Sequence, residues 1–253
     1  MFRFFLFRFA GIIKNSIFNP NVIAETDAYI LFDLRLPRIV MGILIGSMLA
    51  VSGTCMQGMF KNPLATPDLI GITSGATLFA AIAIVLGGFL KAFLPESFHF
   101  YLLSIMAFLG SLVTTISVYK IATVQGKTNV VIMLLSGVAI TAIGFAITGF
   151  LIYLAKEEEL RDLTFWNLGS LASATWYKNS ILLGVMLLSY FFLLGKGKAL
   201  NAMLLGENDA KHLGIPVERI KKLIVVFTAL MVGTTVAFAG TIGFVGLVIP
   251  YIL

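Results

Sequence analysis

Six long stretches of this sequence contain no Asp, Glu, Lys or Arg, and this feature limits the possible folds more than any other. They cover residues 39–60, 69–90, 97–119, 128–155, 179–195 and 223–253. A helix needs about 20 apolar residues to cross a hydrocarbon layer ~30 Å thick, and lipid offers no partner to a free backbone group. The sequence therefore predicts an all-α, polytopic transmembrane helical bundle. The last stretch is long enough for a span and a shorter return, and Gly240, Gly243 and Gly246 mark where the chain could turn, so we expect six spans and a partial seventh.

The charge distribution favours a membrane protein over one that binds nucleic acid. The chain is 59% hydrophobic and 12% charged, whereas soluble domains are about one-quarter charged. Its formal net charge of +6 comes from cations in short loops, which form no basic face. If Arg35 and Arg38 lie outside, alternation of the spans places these cations inside: Lys61, Lys120, Lys127, Lys196, Lys198, Lys211, Arg219, Lys221 and Lys222. This positive-inside bias predicts that orientation in the inner, cytoplasmic membrane.

The N-terminal part of the chain differs from the rest. Residues 1–34 are amphipathic and are interrupted by an Asn-Pro-Asn sequence at 19–21, which favours a segment on the membrane surface. Residues 35–253 form the predicted transmembrane domain, and its first helix begins near Pro37, where a helix start tolerates proline.

Pairs of glycines four residues apart occur in the first two predicted spans. These are Gly42 with Gly46, and Gly71 with Gly75. Small residues at this interval allow two helix backbones to approach closely. We predict close helix packing at these positions, and a specific dimer interface is the less favoured alternative.

No motif for catalysis or metal binding is recognisable. Residues 126–128, Gly-Lys-Thr, look like the end of a phosphate loop, but Ile121 stands where that motif requires glycine. His99 and His212 lie on opposite sides of the predicted membrane, and a metal site needs several convergent ligands. We therefore predict no catalytic residue, no metal and no cofactor on this chain.

One long stretch of mixed polarity lies on the predicted inner side. It reads LNAMLLGENDAKHLGIPVERIKK over residues 200–222, and Gly206, Gly214 and Pro216 divide it into short helices. A simple connection between two spans needs only a few residues. A helical hairpin at about 200–220 that is exposed to the cytosol therefore indicates a partner protein.

Two arginines mark the predicted outer side. Arg35 and Arg38 lie three residues apart at the start of the first span. Arginine suits bidentate contacts with carboxylates of a partner. It also reaches lipid phosphates from the end of a helix, and the spacing alone favours this second role.

Five sequence blocks, in order, carry a resemblance to a known family. They are LRLPR at 34–38, QGMFKNPLATPDLIG at 57–71, FWNLGSLASATW at 165–176, LLGENDAKHLG at 204–214 and AGTIGFVGLVIP at 239–250. In these blocks the chain resembles the iron-chelate and vitamin B12 permeases of binding-protein-dependent ABC importers. The resemblance runs from about residue 28 to the end of the chain.

The resemblance implies a type II importer permease that works as a homodimer. Two cytosolic ATPase subunits would bind ATP and Mg²⁺, and an extracytoplasmic binding protein would deliver a chelate, with haem and ferric siderophores favoured over cobalamin. Arg35 and Arg38 match the family arginines that contact the binding protein, so docking then outweighs lipid contact. The positions that match the helices coupled to the ATPase are Gly206, Glu207, Ala210, Leu213 and Gly214.

The chain also departs from the family pattern. Members usually have a further helix before the region of Asp33 and more helices after the equivalent of Pro250, and Tyr251 replaces a histidine. These departures predict an importer subunit shortened at both ends. The rival hypothesis is a degenerate membrane fragment or scaffold that does not transport.

Overall fold

The computed structural model describes residues 28–252, and most of these residues are helical. In chain order the α-helices are α1 (Leu36–Phe60), α2 (Ile72–Val85), α3 (Gly87–Ala92), α4 (Glu96–His99), α5 (Leu102–Ala122), α6 (Val130–Leu154), α7 (Glu157–Leu168), α8 (Trp176–Leu193), α9 (Gly197–Leu205), α10 (Glu207–His212), α11 (Val217–Ala239) and α12 (Val245–Ile252). A two-stranded antiparallel hairpin, β1 (Thr123–Val124) and β2 (Lys127–Thr128), joins α5 to α6. The predicted all-α bundle is confirmed.

Within residues 28–252, five helices are long and apolar enough to cross a membrane. They are the continuous helix Ile30–Phe60, which contains α1, together with α5, α6, α8 and α11. The second predicted span, 69–90, is helical as α2, but α2 has only 14 residues. At 1.5 Å per residue it is about 21 Å long, which is less than the hydrocarbon thickness. The window is broken at Leu86, where the chain leaves helical geometry before α3 begins.

Several helices begin or end at residues other than those predicted from the sequence. The first span begins earlier than expected, because a π-helical turn, Ile30–Arg35, continues into α1 without a break. Residues 30–34 therefore belong to the same continuous helix as α1, while residues 1–27 of the predicted surface segment lie outside the described residues. The window 97–119 forms its long helix only from Leu102. The last window divides at Gly240 into α11 and the short α12, as the sequence predicts.

Helix α11 lies at the centre of the bundle. It contacts α1, α2, α5 and α8, and most of its residues are buried. Its buried hydroxyl groups need partners, because water is absent from the hydrocarbon region. Thr234 and Thr235 donate to the carbonyl groups one turn earlier, at Leu230 and Met231. These two threonines therefore lie in the apolar interior at little cost, whereas the buried Thr228 hydroxyl of the same helix has no hydrogen-bond partner among the described residues.

Contacts at the helix ends define two opposite ends of the bundle. At one end, Asn179 Nδ2 at the start of α8 donates to the Pro37 carbonyl of α1 over 2.8 Å. The Trp176 indole donates to the Phe32 carbonyl at the same end. At the far end of α1, Gly58 lies beside Leu200 of α9. The N-terminal arginines and the hairpin α9–α10 therefore lie at opposite ends, which we call the arginine end and the hairpin end.

Candidate functional site

The helical hairpin predicted near residues 200–220 is present as α9 and α10. The chain changes direction at Gly206, between the two short helices. It turns again at Gly214, whose φ of +78° is in the left-handed region that favours glycine. The Gly214 amide donates to the Lys211 carbonyl and the Ile215 amide to that of Ala210, so the last carbonyls of α10 have partners. A compact hairpin thus enters α11 at a defined angle.

A buried lysine holds this hairpin against the bundle. The side chain of Lys221 in α11 is fully buried, at 0% exposure. Its Nζ lies 2.7 Å from Oε1 and 2.8 Å from Oε2 of Glu207, the first residue of α10. It also donates to the Thr128 carbonyl over 2.7 Å and lies 3.7 Å from Oε1 of Glu218. We call Lys221, Glu207, Glu218 and Thr128 the Lys221 cluster.

The Lys221 cluster joins three separate elements of the chain. Glu207 belongs to α10, Lys221 and Glu218 to α11, and Thr128 to the β-hairpin between α5 and α6. The Thr128 amide donates to Glu218 Oε2 over 2.8 Å, so both backbone groups of Thr128 have partners in the cluster. A buried ammonium is costly unless it is paired and hydrogen-bonded. The oxygen atoms around the Lys221 ammonium come from all three elements. Moving any one of these elements away would therefore remove part of the stabilisation of the buried charge.

Residues 126–128, which resemble part of a phosphate loop, form the turn and second strand of this β-hairpin. Gln125 and Gly126 both have positive φ, 51° and 75°, as a two-residue type I′ turn requires. Thr123 pairs with Thr128, and Val124 with Lys127. The segment therefore carries the Thr128 backbone to the Lys221 cluster.

The residues predicted to contact an ATPase have different surroundings. Leu213 is 68% exposed, and Leu204 and Leu205 expose further apolar surface on the same hairpin. Ala210, by contrast, is fully buried within the chain. Its methyl group packs inward and is not available to a partner in this structure, which corrects the contact predicted for it. Glu207, whose side chain is one-third exposed, is bound to Lys221.

The glycines predicted to pack closely do so unequally. A Cβ on Gly75 would lie 2.4 Å from the Gly110 carbonyl oxygen, so α2 and α5 touch there through their backbones. Gly42 is near Leu171, and Gly71 precedes α2 and accepts a hydrogen bond from Thr114 through its carbonyl. Around Gly46 no atom would come within 4 Å of an added Cβ. Within the described chain Gly46 therefore makes no close helix contact, contrary to the prediction.

The two predicted docking arginines lie at the arginine end. Arg38 is exposed on the first turn of α1, and Arg35 is half-buried at the end of the π turn. Their contact with a binding protein stays a prediction. His99 has a local role, because its Nε2 lies 3.0 Å from the carbonyl oxygens of Lys91 and Leu94. Across residues 28–252, no group of three or more His, Cys, Asp or Glu side chains converges on a metal site.

Sequence reasoning missed Lys221, Glu218 and Thr128. The charge-free window began at 223, so Lys221 was assigned to a loop, whereas α11 begins at Val217. A helical projection from 217 places Lys221 on the same stripe as Val217, Ile224 and Val225, all buried. A lysine on an apolar helical stripe, together with an acidic residue at position 207 in the preceding hairpin, is the sequence feature that could have predicted the Lys221–Glu207 ion pair.

Comparison with known proteins gives consistent matches. The chain is 37% identical over 229 residues to the cobalamin import system permease protein BtuC of Halobacterium salinarum, covering 90% of this chain and 59% of that protein. It is 36% identical over 225 residues to the hemin transport system permease protein HmuU of Yersinia pestis, covering 89% and 66%. A solved structure of a metal-chelate type ABC transporter in an inward-facing conformation matches with a TM-score of 0.80 and 31% identity, covering 92% of this chain and 72% of that one.

The fold and its hairpin define a multi-pass, all-helical membrane protein with a compact helical hairpin at one end. The chain belongs to the FecCD transport family, whose model matches residues 2–253. The match begins well before residue 28, where the resemblance in sequence begins, so residues 2–27 also fit the family model. The chain spans 59% and 66% of the lengths of the two curated relatives.

Proposed function

We propose that this chain is the membrane-spanning permease subunit of an ABC importer that carries a metal chelate or cobalamin into the cytoplasm. The family match and the relatives named for cobalamin and hemin transport support this proposal. Two copies of the chain would enclose the path, and two cytosolic ATPase subunits would hydrolyse ATP with Mg²⁺. A binding protein outside the membrane would deliver the cargo to the arginine end.

The observation that carries the proposal is the hairpin α9–α10 with its exposed leucines and its buried anchor. Leu205, the last residue of α9, is 78% exposed, and Leu213, which follows α10, is 68% exposed. Neither leucine belongs to one of the long apolar helices. Apolar side chains that water surrounds on an otherwise ordered hairpin favour a protein contact. The Lys221 cluster attaches that surface to α11, which packs against four other helices.

This arrangement suits a device that transmits force from a partner to the spans. An importer must shift the balance between inward- and outward-open states through differential binding of nucleotide and binding protein. A movement imposed on α10 would pass through Glu207 and Lys221 to α11, and through Thr128 to the connection between α5 and α6. A loosely attached hairpin would instead move by itself.

Co-purification with the ATPase tests the proposed contact. Leu213→Glu places a charge in the apolar surface, and we expect it to lower recovery of the ATPase on the tagged permease by at least about tenfold. Leu168→Glu is the matched control, because Leu168 is 72% exposed on α7, towards the arginine end. Equal recovery with both variants would contradict a role of the hairpin in ATPase binding.

An uptake assay tests the activity and the cargo. The permease, ATPase and binding protein would be reconstituted in liposomes, and ATP-dependent uptake of haem, a ferric siderophore and cobalamin compared. We expect uptake of one iron chelate, with haem and siderophore ahead of cobalamin. Assembly of the complex without uptake of any of the three would favour the rival reading of a non-transporting scaffold.

A further inference from the structure

Neighbouring lysines at the hairpin end face opposite environments. Lys221 points into the Lys221 cluster, whereas Lys222 is exposed and lies at the rim of a groove between α5 and α11. The groove has a volume of about 250 Å³. Its lining residues are Leu112, Thr115, Ile116, Tyr119, Lys222, Val225, Val226, Ala229 and Leu230. Apart from Thr115, Tyr119 and Lys222, the lining is wholly apolar.

The length of the groove is close to the thickness of one leaflet of a bilayer. Along α11 it runs from Lys222 to Leu230, which is about 12 Å at 1.5 Å per residue. One leaflet contributes about 15 Å of hydrocarbon. Both walls belong to helices that are long and apolar enough to span the membrane, and Ile116 and Val226 on these walls are exposed, so the groove opens at the surface of the described bundle. Its polar end is close to the last residue of α5, Ala122, and to the start of α11, where headgroups begin.

Positive charge is concentrated at that polar end. Arg219 precedes Lys222 by three residues, so both lie on one face of α11, and both are exposed. Neither forms a salt bridge with a residue in the described range 28–252. Tyr119 adds a phenol to the rim from α5. A cationic rim above a leaflet-length apolar groove is complementary to a phospholipid with an anionic headgroup.

We propose that the groove between α5 and α11 binds an anionic phospholipid of the leaflet at the hairpin end. One acyl chain lies against Ile116 and Val226, and the phosphate contacts Lys222 and Arg219. The lipid covers the contact between α5 and α11 about one helical turn from Lys221. This inference depends on the membrane location of the helices and not on transport.

Native mass spectrometry of the delipidated full chain tests the site directly. The protein in detergent is titrated with dioleoyl phosphatidylglycerol, with dioleoyl phosphatidylcholine, which has the same chains and a zwitterionic headgroup, and with glycerol 3-phosphate. We expect saturable binding of phosphatidylglycerol at one copy per chain and much weaker binding of the other two. Equal binding of both lipids, or displacement of the lipid by glycerol 3-phosphate, would overturn the proposal.

Two kinds of variant separate the headgroup contact from the acyl contact. A basic residue near the membrane surface contributes about 1 kcal/mol of binding to anionic lipid, so Lys222→Gln should raise the Kd about fivefold. Lys222→Gln with Arg219→Gln should raise it about thirtyfold. Lys198→Gln on α9 is the matched control, and we expect a change below about twofold because Lys198 is not among the residues that line the groove. An equal change in Kd for Lys198→Gln and Lys222→Gln would contradict the proposed contact between the lipid phosphate and Lys222.

Val226→Trp fills the groove and should reduce binding of phosphatidylglycerol, with Ile116→Trp as an independent second blocking variant. Both positions are exposed, at 44% and 51%, so the larger ring does not overfill the core. Thermal unfolding checks that each variant is folded. Full lipid binding by two folded blocking variants, or a dimer in the spectra in place of the lipid complex, would exclude this groove as a lipid site.

Discussion

Replacement of Lys221 by methionine tests whether the Lys221 cluster holds the hairpin in place. Methionine keeps an unbranched side chain of similar length but removes the ammonium group and both of its hydrogen bonds, to Glu207 and to the Thr128 carbonyl. A hydrogen bond to a charged group contributes about 1.5–3 kcal/mol. Removal of the lysine also removes its desolvation cost, and Glu207, one-third exposed, can regain water. We expect local opening of the hairpin to become easier by about 2 kcal/mol.

Hydrogen exchange measures this opening segment by segment. A change of 2 kcal/mol corresponds to about thirtyfold faster exchange for amides that exchange through opening of the hairpin. Peptides that cover α9 and α10 should show this acceleration, while peptides from the middle of α5 should be unchanged. Lys120→Met is the matched control, because Lys120 is exposed on α5 and is not in the cluster.

A second variant separates loss of charge from loss of the hydrogen bond. Glu207→Gln still offers a carbonyl oxygen to the Lys221 ammonium, so we expect a smaller effect of about 1 kcal/mol, or fivefold. Glu207→Gln in the background of Lys221→Met should add little, because the two residues act as one pair. An acceleration below about twofold in Lys221→Met would refute the reasoning, since the hairpin would then be held by other contacts.

Three further predictions concern the helix contacts and the arginine end. Gly75→Ala should destabilise the protein by about 1–3 kcal/mol through overpacking against Gly110. Gly46→Ala should change the stability by less than about 1 kcal/mol. Thermal unfolding, monitored by maleimide labelling of the single buried cysteine, distinguishes the two variants. Asn179→Ala should cost about 1–2 kcal/mol in the same assay, because it removes the hydrogen bond that Asn179 Nδ2 donates to the Pro37 carbonyl. Arg38→Glu should weaken binding of the extracytoplasmic binding protein at least about tenfold without lowering the unfolding temperature, and an unchanged affinity would contradict docking at this end.

Much of the fold could be predicted because the membrane imposes a simple rule. Each charge-free window contains a helix, and the break at Gly240 was predicted from its glycines. Helix ends were less predictable. The helix that contains α1 already includes Asp33 and Arg35, which have helical backbone geometry, although charged residues at this position predict a loop. Hydropathy locates the part of a helix that lies in lipid, but polar residues at its ends can continue the same helix.

The site could be predicted only in part, for a related reason. The hairpin follows from a polar stretch with glycines at its turns. The burial of Ala210 does not, because nothing in its local sequence shows which side of α10 meets the bundle. Gly46 and Gly75 have the same spacing pattern, yet only Gly75 meets another backbone.

The amino-acid sequence by itself determined that this chain is helical, that it spans a membrane several times and that a polar hairpin interrupts the spans. These properties follow from the local balance between apolar side chains and backbone groups that lipid cannot satisfy. Tertiary structure alone decided that Lys221 is buried while Lys222 lies at the rim of the groove between α5 and α11. Two adjacent residues with the same side chain differ here because Glu207 and Thr128, distant in sequence, supply partners on only one side of α11.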